Sequence, residues 1–250
     1  MTDRLVLGVD VGGSGIKAAP VHIDRGELAS ERVRIPTPQP STPDAVAQVI
    51  VELVRHFDWT GPIGCTLPSV VQNGIVRTAA NIDARWIGID GLVLLRQATG
   101  LPVVLLNDAD AAGVAEMRFG AGVGRHGVVV MITLGTGIGS ALFVDQRLVP
   151  NTELGHLEIR GKDAEHRAAA SVRERKELSW REWAPAVDEY LDRLEALLWP
   201  DLVIIGGGVS TKYDKFGPFL TSQVPTVPAT LGNEAGIVGA ALAAAEATNA

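Results

Sequence analysis

Thiols are all but missing from this chain. Its one cysteine, Cys65, permits no intrachain disulfide and no thiolate zinc cluster. The residue lies inside an apolar run, Pro62-Ile-Gly-Cys-Thr-Leu67, which favours core packing over reactivity. No apolar run reaches the about 20 residues of a membrane-spanning helix. No signal peptide precedes Met1-Thr-Asp-Arg4, so the expectation is a soluble cytoplasmic protein. Positive charge is also short: a net charge of −7 argues against broad nucleic-acid or membrane binding and leaves room only for a local basic patch. Two familiar phosphate signatures are absent as well. No Gly-Lys-Ser/Thr stands at the Walker spacing, and no glycine loop opens directly into a helix as a dinucleotide fingerprint must. The remaining composition, 46% hydrophobic and 20% charged over 250 residues, is that of a globular chain able to form one large domain or two lobes.

Glycine, by contrast, is concentrated at bends. Gly127-Val-Val-Val-Met-Ile132 reads as a buried strand, and Ala141-Leu-Phe-Val-Asp-Gln-Arg-Leu-Val149 as a second strand with a turn at its end. Between them, Thr133-Leu-Gly-Thr-Gly-Ile-Gly-Ser140 puts three glycines in five residues, where a tight hairpin needs only one or two. With the Thr136 and Ser140 hydroxyls beside it, the loop is either a tight turn or a row of donors for an anion such as phosphate. The same plan occurs at the start of the chain. Arg4-Leu-Val-Leu-Gly-Val-Asp-Val11, Gly12-Gly-Ser-Gly-Ile-Lys17 and Ala18-Ala-Pro-Val-His-Ile23 repeat strand, glycine loop, strand. Such repetition predicts two lobes on one plan with their glycine hairpins facing a common cleft. Asp10, at the end of the first strand, either caps the turn or holds Mg²⁺, directly or through water.

Pro36 to Pro43 is a connector, and Thr42-Pro43-Asp44 starts a helix running to about Phe57. Thr78-Ala-Ala-Asn81 is an irregular small-residue stretch suited to lining a pocket. Leu101-Pro-Val-Val-Leu-Leu106 is a strand with Asn107-Asp108 at its carboxyl end, the position where α/β proteins commonly bind ligands. Asp108 is either the N-cap of the helix that follows or a general base, with Asn107 fixing a substrate hydroxyl beside it. Glu153 and His156 flank a glycine and can present a carboxylate and an imidazole to one polyhydroxy ligand, or the histidine can be structural. Residues 160–181 carry a net charge of +3 in an otherwise acidic protein. Arg167, Arg173, Arg175, Lys176 and Arg181 there form either a solvated helix face or an anion-binding surface. Trp180 to Trp199 reads as an amphipathic helix. Asp201-Leu-Val-Ile-Ile-Gly-Gly-Gly208 is a strand entering a third glycine turn, with Ser210, Lys212 and Lys215 beyond it. Glu234 to Ala247 is a closing helix.

Five motifs in order, Asp10-Val-Gly-Gly-Ser-Gly-Ile-Lys17, Asn107-Asp-Ala-Asp-Ala-Ala112, Leu134-Gly-Thr-Gly-Ile-Gly139, Glu153-Leu-Gly-His156 and Ile205-Gly-Gly-Gly208, resemble those of the ROK family of sugar kinases. Leu67-Pro-Ser-Val-Val71, Ala79-Ala-Asn-Ile82 and Ser14-Gly-Ile-Lys17 are most similar to its actinobacterial branch of polyphosphate-using glucokinases. The resemblance implies an α/β protein with the actin-like ATPase (ribonuclease H-like) fold. It implies two lobes, residues 1–108 with 235–250 and residues 109–234, a sugar in the cleft between them, and a homodimer.

By the same resemblance the activity is transfer of a terminal phosphoryl group from polyphosphate, ATP or both to the 6-hydroxyl of glucose, with Mg²⁺ near Asp10. Asp108 is the implied base, and Asn81, Asn107, Glu153, His156 and Glu165 are the implied sugar ligands. Gly12, Gly13, Ser14, Gly15, Lys17, Gly135, Thr136, Gly137, Gly207, Gly208, Lys212 and Lys215 are assigned to the donor. Two departures stand out. Residues 157–180 have no cysteine where many members carry a zinc motif, so no zinc site is expected. Gly15 replaces a lysine of many ATP-dependent members, with Lys17 two places on. An ATP-dependent glucose or mannose kinase, a non-catalytic sugar-sensing regulator and a chaperone or filament protein borrowing the fold are the rival readings.

Overall fold

In the computed structural model, which describes residues 4–248, the chain opens on the expected hairpin. β1 (Leu5–Val11) and β2 (Ile16–His22) pair antiparallel from Leu5↔His22 to Val11↔Ile16. The short strands β3 (Glu27–Leu28) and β4 (Val33–Ile35) both add to β2. α1 (Pro43–His56) starts where its sequence says it should. The Thr42 hydroxyl accepts the Ala45 N–H, Pro43 takes the first turn, and Val46, Ala47, Ile50, Leu53 and Val54 form the buried stripe. β5 (Ile63–Leu67), buried throughout, lies parallel to β1. A small hairpin, β6 (Val71–Gln72) with β7 (Ile75–Val76), precedes α2 (Gly91–Thr99), which Asp90 caps and Gly100 ends at φ +70°. β8 (Val103–Asn107) then pairs parallel with β5 and leads straight into α3 (Asp108–Phe119). The sheet order is β3-β2-β1-β5-β8.

The second half repeats that order. β9 (Val128–Leu134) and β10 (Ile138–Val144) form the second hairpin, and β11 (Arg147–Val149) adds to β10. The two-stranded β12 (Glu158–Ile159) and β13 (Lys162–Asp163) lead into α4 (Glu165–Ala168), α5 (Ala170–Arg175) and the long α6 (Trp180–Leu198). Ser179 and Glu182 form a capping box at the start of α6. β14 (Leu202–Gly206) lies parallel to β9, and after α7 (Tyr213–Phe216) β15 (Thr226–Pro228) lies parallel to β14. The order β11-β10-β9-β14-β15 matches the main path of the first sheet, whose sixth strand, β4, has no counterpart in it. α8 (Ala235–Ala247) closes the chain against β1 and β5.

Contacts divide the chain into two units. One takes the described residues through Ala115 together with those from Glu234 on, and the other takes Glu116–Asn233. The division therefore falls inside α3, after Ala115, rather than at Asp108. The ends of the expected first lobe, residues 1–3 and 249–250, lie outside the described residues. Each unit has its own apolar core: Leu7, Val9, Ile50, Leu53, Ile63 and Trp86 in the first, Val130, Ile132, Trp183, Leu191, Val203 and Phe216 in the second. Cys65 belongs to the first core, where burial pushes its thiol up to about 12, so it is inert packing. Glu116, also fully buried, accepts the N–H groups of Ala121, Thr230 and Leu231 at 2.7–2.9 Å, and these bonds hold the second unit's first and last segments together.

Candidate active site

Strand register assembles the first group of side chains. Thr66 on β5 lies opposite Asp10 on β1, Asp10 opposite Lys17 on β2, and Lys17 opposite Arg34 on β4. Residues in register project to the same face, so four polar groups form one row across the sheet. Asp10 accepts the Thr66 hydroxyl at 3.0 Å and pairs with Lys17 Nζ at 3.2 Å. It makes no bond to the glycine loop, so the capping reading of Asp10 falls away. The loop itself closes through Gly12 N–H to the Gly15 carbonyl at 3.1 Å. Its carbonyls face protein donors: Thr37 Oγ1 donates to Gly12 O at 2.5 Å and Arg34 Nη2 to Ser14 O at 2.7 Å. The N–H groups of Gly13, Ser14 and Gly15 have no partner among the described residues. A Cβ on Gly15 would stand 2.4 Å from Arg34 Nε, so a side chain at 15 would displace the Arg34 guanidinium from its place over the loop. The carbonyl of Asn81 comes 3.5 Å from the corresponding point on Gly13, which places that bend against the loop.

At the carboxyl end of β8 the two candidates have different roles. The Asn107 Oδ1 accepts the N–H groups of Ala109 and Asp110 at 2.8 and 3.0 Å, and its Nδ2 donates to Ser69 O at 3.1 Å. Asn107, buried and not Asp108, caps α3. An asparagine amide has two N–H donors, so one remains, enough for the single ligand hydroxyl expected of Asn107. Asp108 is half-buried at the first helical residue, where the helix dipole favours a carboxylate, and accepts the Ala109 N–H at 2.8 Å.

In the second unit Ser140 pins the Glu153–His156 segment to β10. Its Oγ donates to Thr152 O at 2.7 Å and accepts the Leu154 N–H at 2.9 Å. Gly155 lies so close that a Cβ would meet Ile138 O at 2.2 Å, which is why the motif needs its central glycine. His156 Nδ1 stands 2.8 Å from Asp163 Oδ2, and its Nε2 stands 3.7 Å from Glu153 Oε2. The hydrogen bond to Asp163 chiefly holds the imidazole above its ordinary value, and partial withdrawal from water raises Glu153. Glu165 leans over the second glycine bend, accepting the Ile138 N–H at 3.2 Å. His156, Asp163 and Glu165 bring ligand-capable atoms within 4.8 Å of one another, and the hydrogen bond already joins two of the three.

The second bend, residues 135–137, is tied to α5. Ser171 donates its N–H to Gly135 O at 3.0 Å and its hydroxyl to Thr136 O at 2.6 Å. The N–H groups of Thr136 and Gly137 have no partner among the described residues. Beside the bend lies a cavity of about 460 Å³ lined by Thr136, Ser171, Arg173, Trp180, Gly208 and Lys212. Arg173 stacks 4.0 Å over the Trp180 ring. Gly207, at φ +78°, passes so close to β9 that a Cβ would sit 2.6 Å from Leu134 O. Lys215, exposed on α7, does not line this cavity. The basic stretch is not one track either, because Arg167 and Arg160 both bind Glu189, at 2.9 and 2.7 Å. Arg34, Thr37, Thr66, Asp163 and Ser171 were not among the residues the sequence singled out.

The ROK family model matches residues 6–171. A polyphosphate glucokinase of Mycobacterium tuberculosis is 52% identical over 243 residues, covering 97% of this chain and 92% of that protein. The solved inorganic polyphosphate/ATP-glucomannokinase of Arthrobacter sp. strain KM matches with a TM-score of 0.94 at 48% identity, covering 98% of this chain and 99% of that one. A ROK family glucokinase from Streptomyces griseus, solved with glucose and AMPPNP, matches with a TM-score of 0.84 at 26% identity, covering 97% and 100%. The repeated sheet order is that of the actin-like ATPase fold these neighbours share. On motif order, topology and identity alike, the chain belongs to the ROK family.

Proposed function

We propose that this protein is a glucokinase that moves the terminal phosphoryl group of inorganic polyphosphate to the 6-hydroxyl of glucose, with ATP as a second donor. The observation that carries the reading is a pair of glycine bends whose N–H groups at residues 13–15 and 136–137 have no partner among the described residues, in a chain with a carboxylate at the start of α3. Phosphoryl transfer passes through a loose transition state in which positioning and charge stabilisation outweigh covalent work by the protein. Asp108 takes the hydroxyl proton as the new bond to phosphorus forms. Glu153, His156 and Glu165, with the remaining Asn107 N–H and Asn81, orient the sugar ring so that attack is effectively unimolecular.

The donor's charge is met by the free N–H groups of both bends and by Lys17, Gly207, Gly208 and Lys212. Asp10 already holds a donor on each oxygen, Thr66 on one and Lys17 on the other, an arrangement that fits Mg²⁺ held through water. Bound there, Mg²⁺ supplies charge neutralisation for the donor phosphates. The cavity presents the Arg173 guanidinium, itself stacked on Trp180, as a flat cation for a nucleotide base or phosphate, which supports ATP as the second donor. A homodimer and a cytoplasmic setting complete the proposal, the first checked by light scattering. Glucose phosphorylation is measured with polyphosphate and with ATP, each with Mg²⁺, by coupling glucose 6-phosphate to its dehydrogenase. Turnover with polyphosphate is expected. Turnover with ATP alone would make this a nucleotide-dependent kinase, and binding of glucose without turnover would make it a sensor.

A further inference from the structure

We propose that Asp163 is a positioning residue of the sugar site, fixing the tautomer and the facing of His156 so that Nε2 meets a sugar hydroxyl. The inference rests on the glucokinase reading. His156 ends a single short turn, and its side chain is 51% exposed. Little packing restrains such a ring, and rotamer freedom would blur any hydrogen bond it offers. What restrains it is the 2.8 Å contact from Nδ1 to Asp163 Oδ2. A carboxylate can only accept, so Nδ1 carries the proton and Nε2 is left for the ligand side.

Asp163 owes its place to a built device. β12 and β13 form a hairpin that begins immediately after Leu157 and pairs Glu158 with Asp163. The two residues at its tip, Arg160 at φ +54° and Gly161 at φ +75°, have the positive angles that a two-residue hairpin turn demands. An arginine in that conformation is unfavourable by itself. Arg160 is anchored there by its 2.7 Å bond to Glu189 on α6. The hairpin thus returns the chain beside His156 at a set distance, and α6 holds the tip.

Three carboxylates face the imidazole, each from a separate segment: Asp163 from β13, Glu165 from α4 and Glu153 from the turn entry. All three favour its protonated form, Asp163 most of all through its hydrogen bond. As pH rises through the folded value, Nε2 changes from donor to acceptor while the Nδ1 bond to Asp163 persists. Removing the charge at 163 therefore acts on His156 before it acts on the sugar.

Asp163→Asn keeps an oxygen for Nδ1–H and removes the charge, whereas Asp163→Ala removes both. The His156 resonance is followed by ¹⁵N NMR titration in the unliganded full-length protein and is assigned by its loss in His156→Gln. Glucose and polyphosphate kinetics are measured on the same samples, with thermal melting to establish folding. In both variants His156 is expected to titrate at lower pH than in wild type. Only Asp163→Ala is expected to lose the Nδ1-protonated tautomer. The glucose KM is expected to rise roughly tenfold in Asp163→Ala, the equivalent of one oriented hydrogen bond. It should rise less in Asp163→Asn, with kcat and the polyphosphate KM little changed in either. An unchanged His156 titration in a folded variant overturns the proposal. So does an unchanged glucose KM when wild type phosphorylates glucose. A wild type inactive on glucose would overturn the glucokinase reading instead, and the titration alone would then decide the Asp163–His156 pair.

Discussion

Asp108 differs from its neighbour in what is left for chemistry. Asn107 caps the helix and Asp108 does not need to, so a change at 108 leaves the entry into α3 supported. Asp108→Asn is therefore expected to lower kcat by about 10²–10⁴, the usual worth of a positioned base. The glucose dissociation constant by calorimetry should stay within about threefold. Turnover near wild type would show that the proton leaves by another route. The two lysines beyond the third glycine turn separate in the same way. Lys212 lines the cavity beside Thr136 and Lys215 does not, so Lys212→Ala is expected to raise the polyphosphate KM roughly tenfold, about the worth of one charged contact. Lys215→Ala should leave it within about twofold. Equal effects in steady-state kinetics would mean that the donor runs over α7 and not through the cavity.

Among the elements, α8 packs most closely. A Cβ on Gly64 of β5 would stand 1.8 Å from Ala240 O, and one on Gly8 of β1 would stand 2.0 Å from Ile237 O, both backbone atoms of α8. Backbone cannot swing aside as a side chain can, so Gly64→Ala is expected to cost about 3 kcal/mol or more by overpacking. Urea unfolding measures it, and a loss under about 1 kcal/mol would mean α8 is free to shift outward. That closeness was not legible in the sequence, where Gly64 and Gly8 look like ordinary strand glycines. The strands and bends were legible because apolar runs of one length flank each glycine cluster, and α1 because Thr42, Pro43 and Asp44 mark its start. What escaped depends on register and long-range pairing. Nothing near Arg34 in the chain says that β4 will set it opposite Lys17. Nothing near Asp163 says that Arg160 will accept a positive φ and bring it back to His156. Arg167 read as free charge because Glu189 is far off in sequence. Asn107 and Asp108 are both good caps, and only the observed bonds assign the role. The division inside α3 left no trace, since the helix runs unbroken through it.

For the molecule as a whole, the difficulty is a polyanionic donor and a protein of net charge −7. The overall field repels polyphosphate, which carries about one charge per phosphate, and slows its approach at low salt. That repulsion is screened beyond about 8 Å at physiological ionic strength, whereas contacts at hydrogen-bond distance survive. On the proposed function, local groups therefore decide binding, and in each unit the candidates are the glycine-bend N–H groups and the cations beside them: Lys17 in the first, Arg173 and Lys212 in the second. Contacts of this kind displace counterions from a polyelectrolyte, so affinity falls with salt in proportion to the phosphates engaged. A long polyphosphate engages more of them than the triphosphate of ATP does. The logarithm of the polyphosphate KM is accordingly expected to climb with the logarithm of salt concentration more steeply than that of the ATP KM. The KM for uncharged glucose should stay nearly flat across the same series. Parallel slopes for the two donors would mean that only the terminal few phosphates touch the protein, and that the cations beyond the glycine bends take no part in holding the chain.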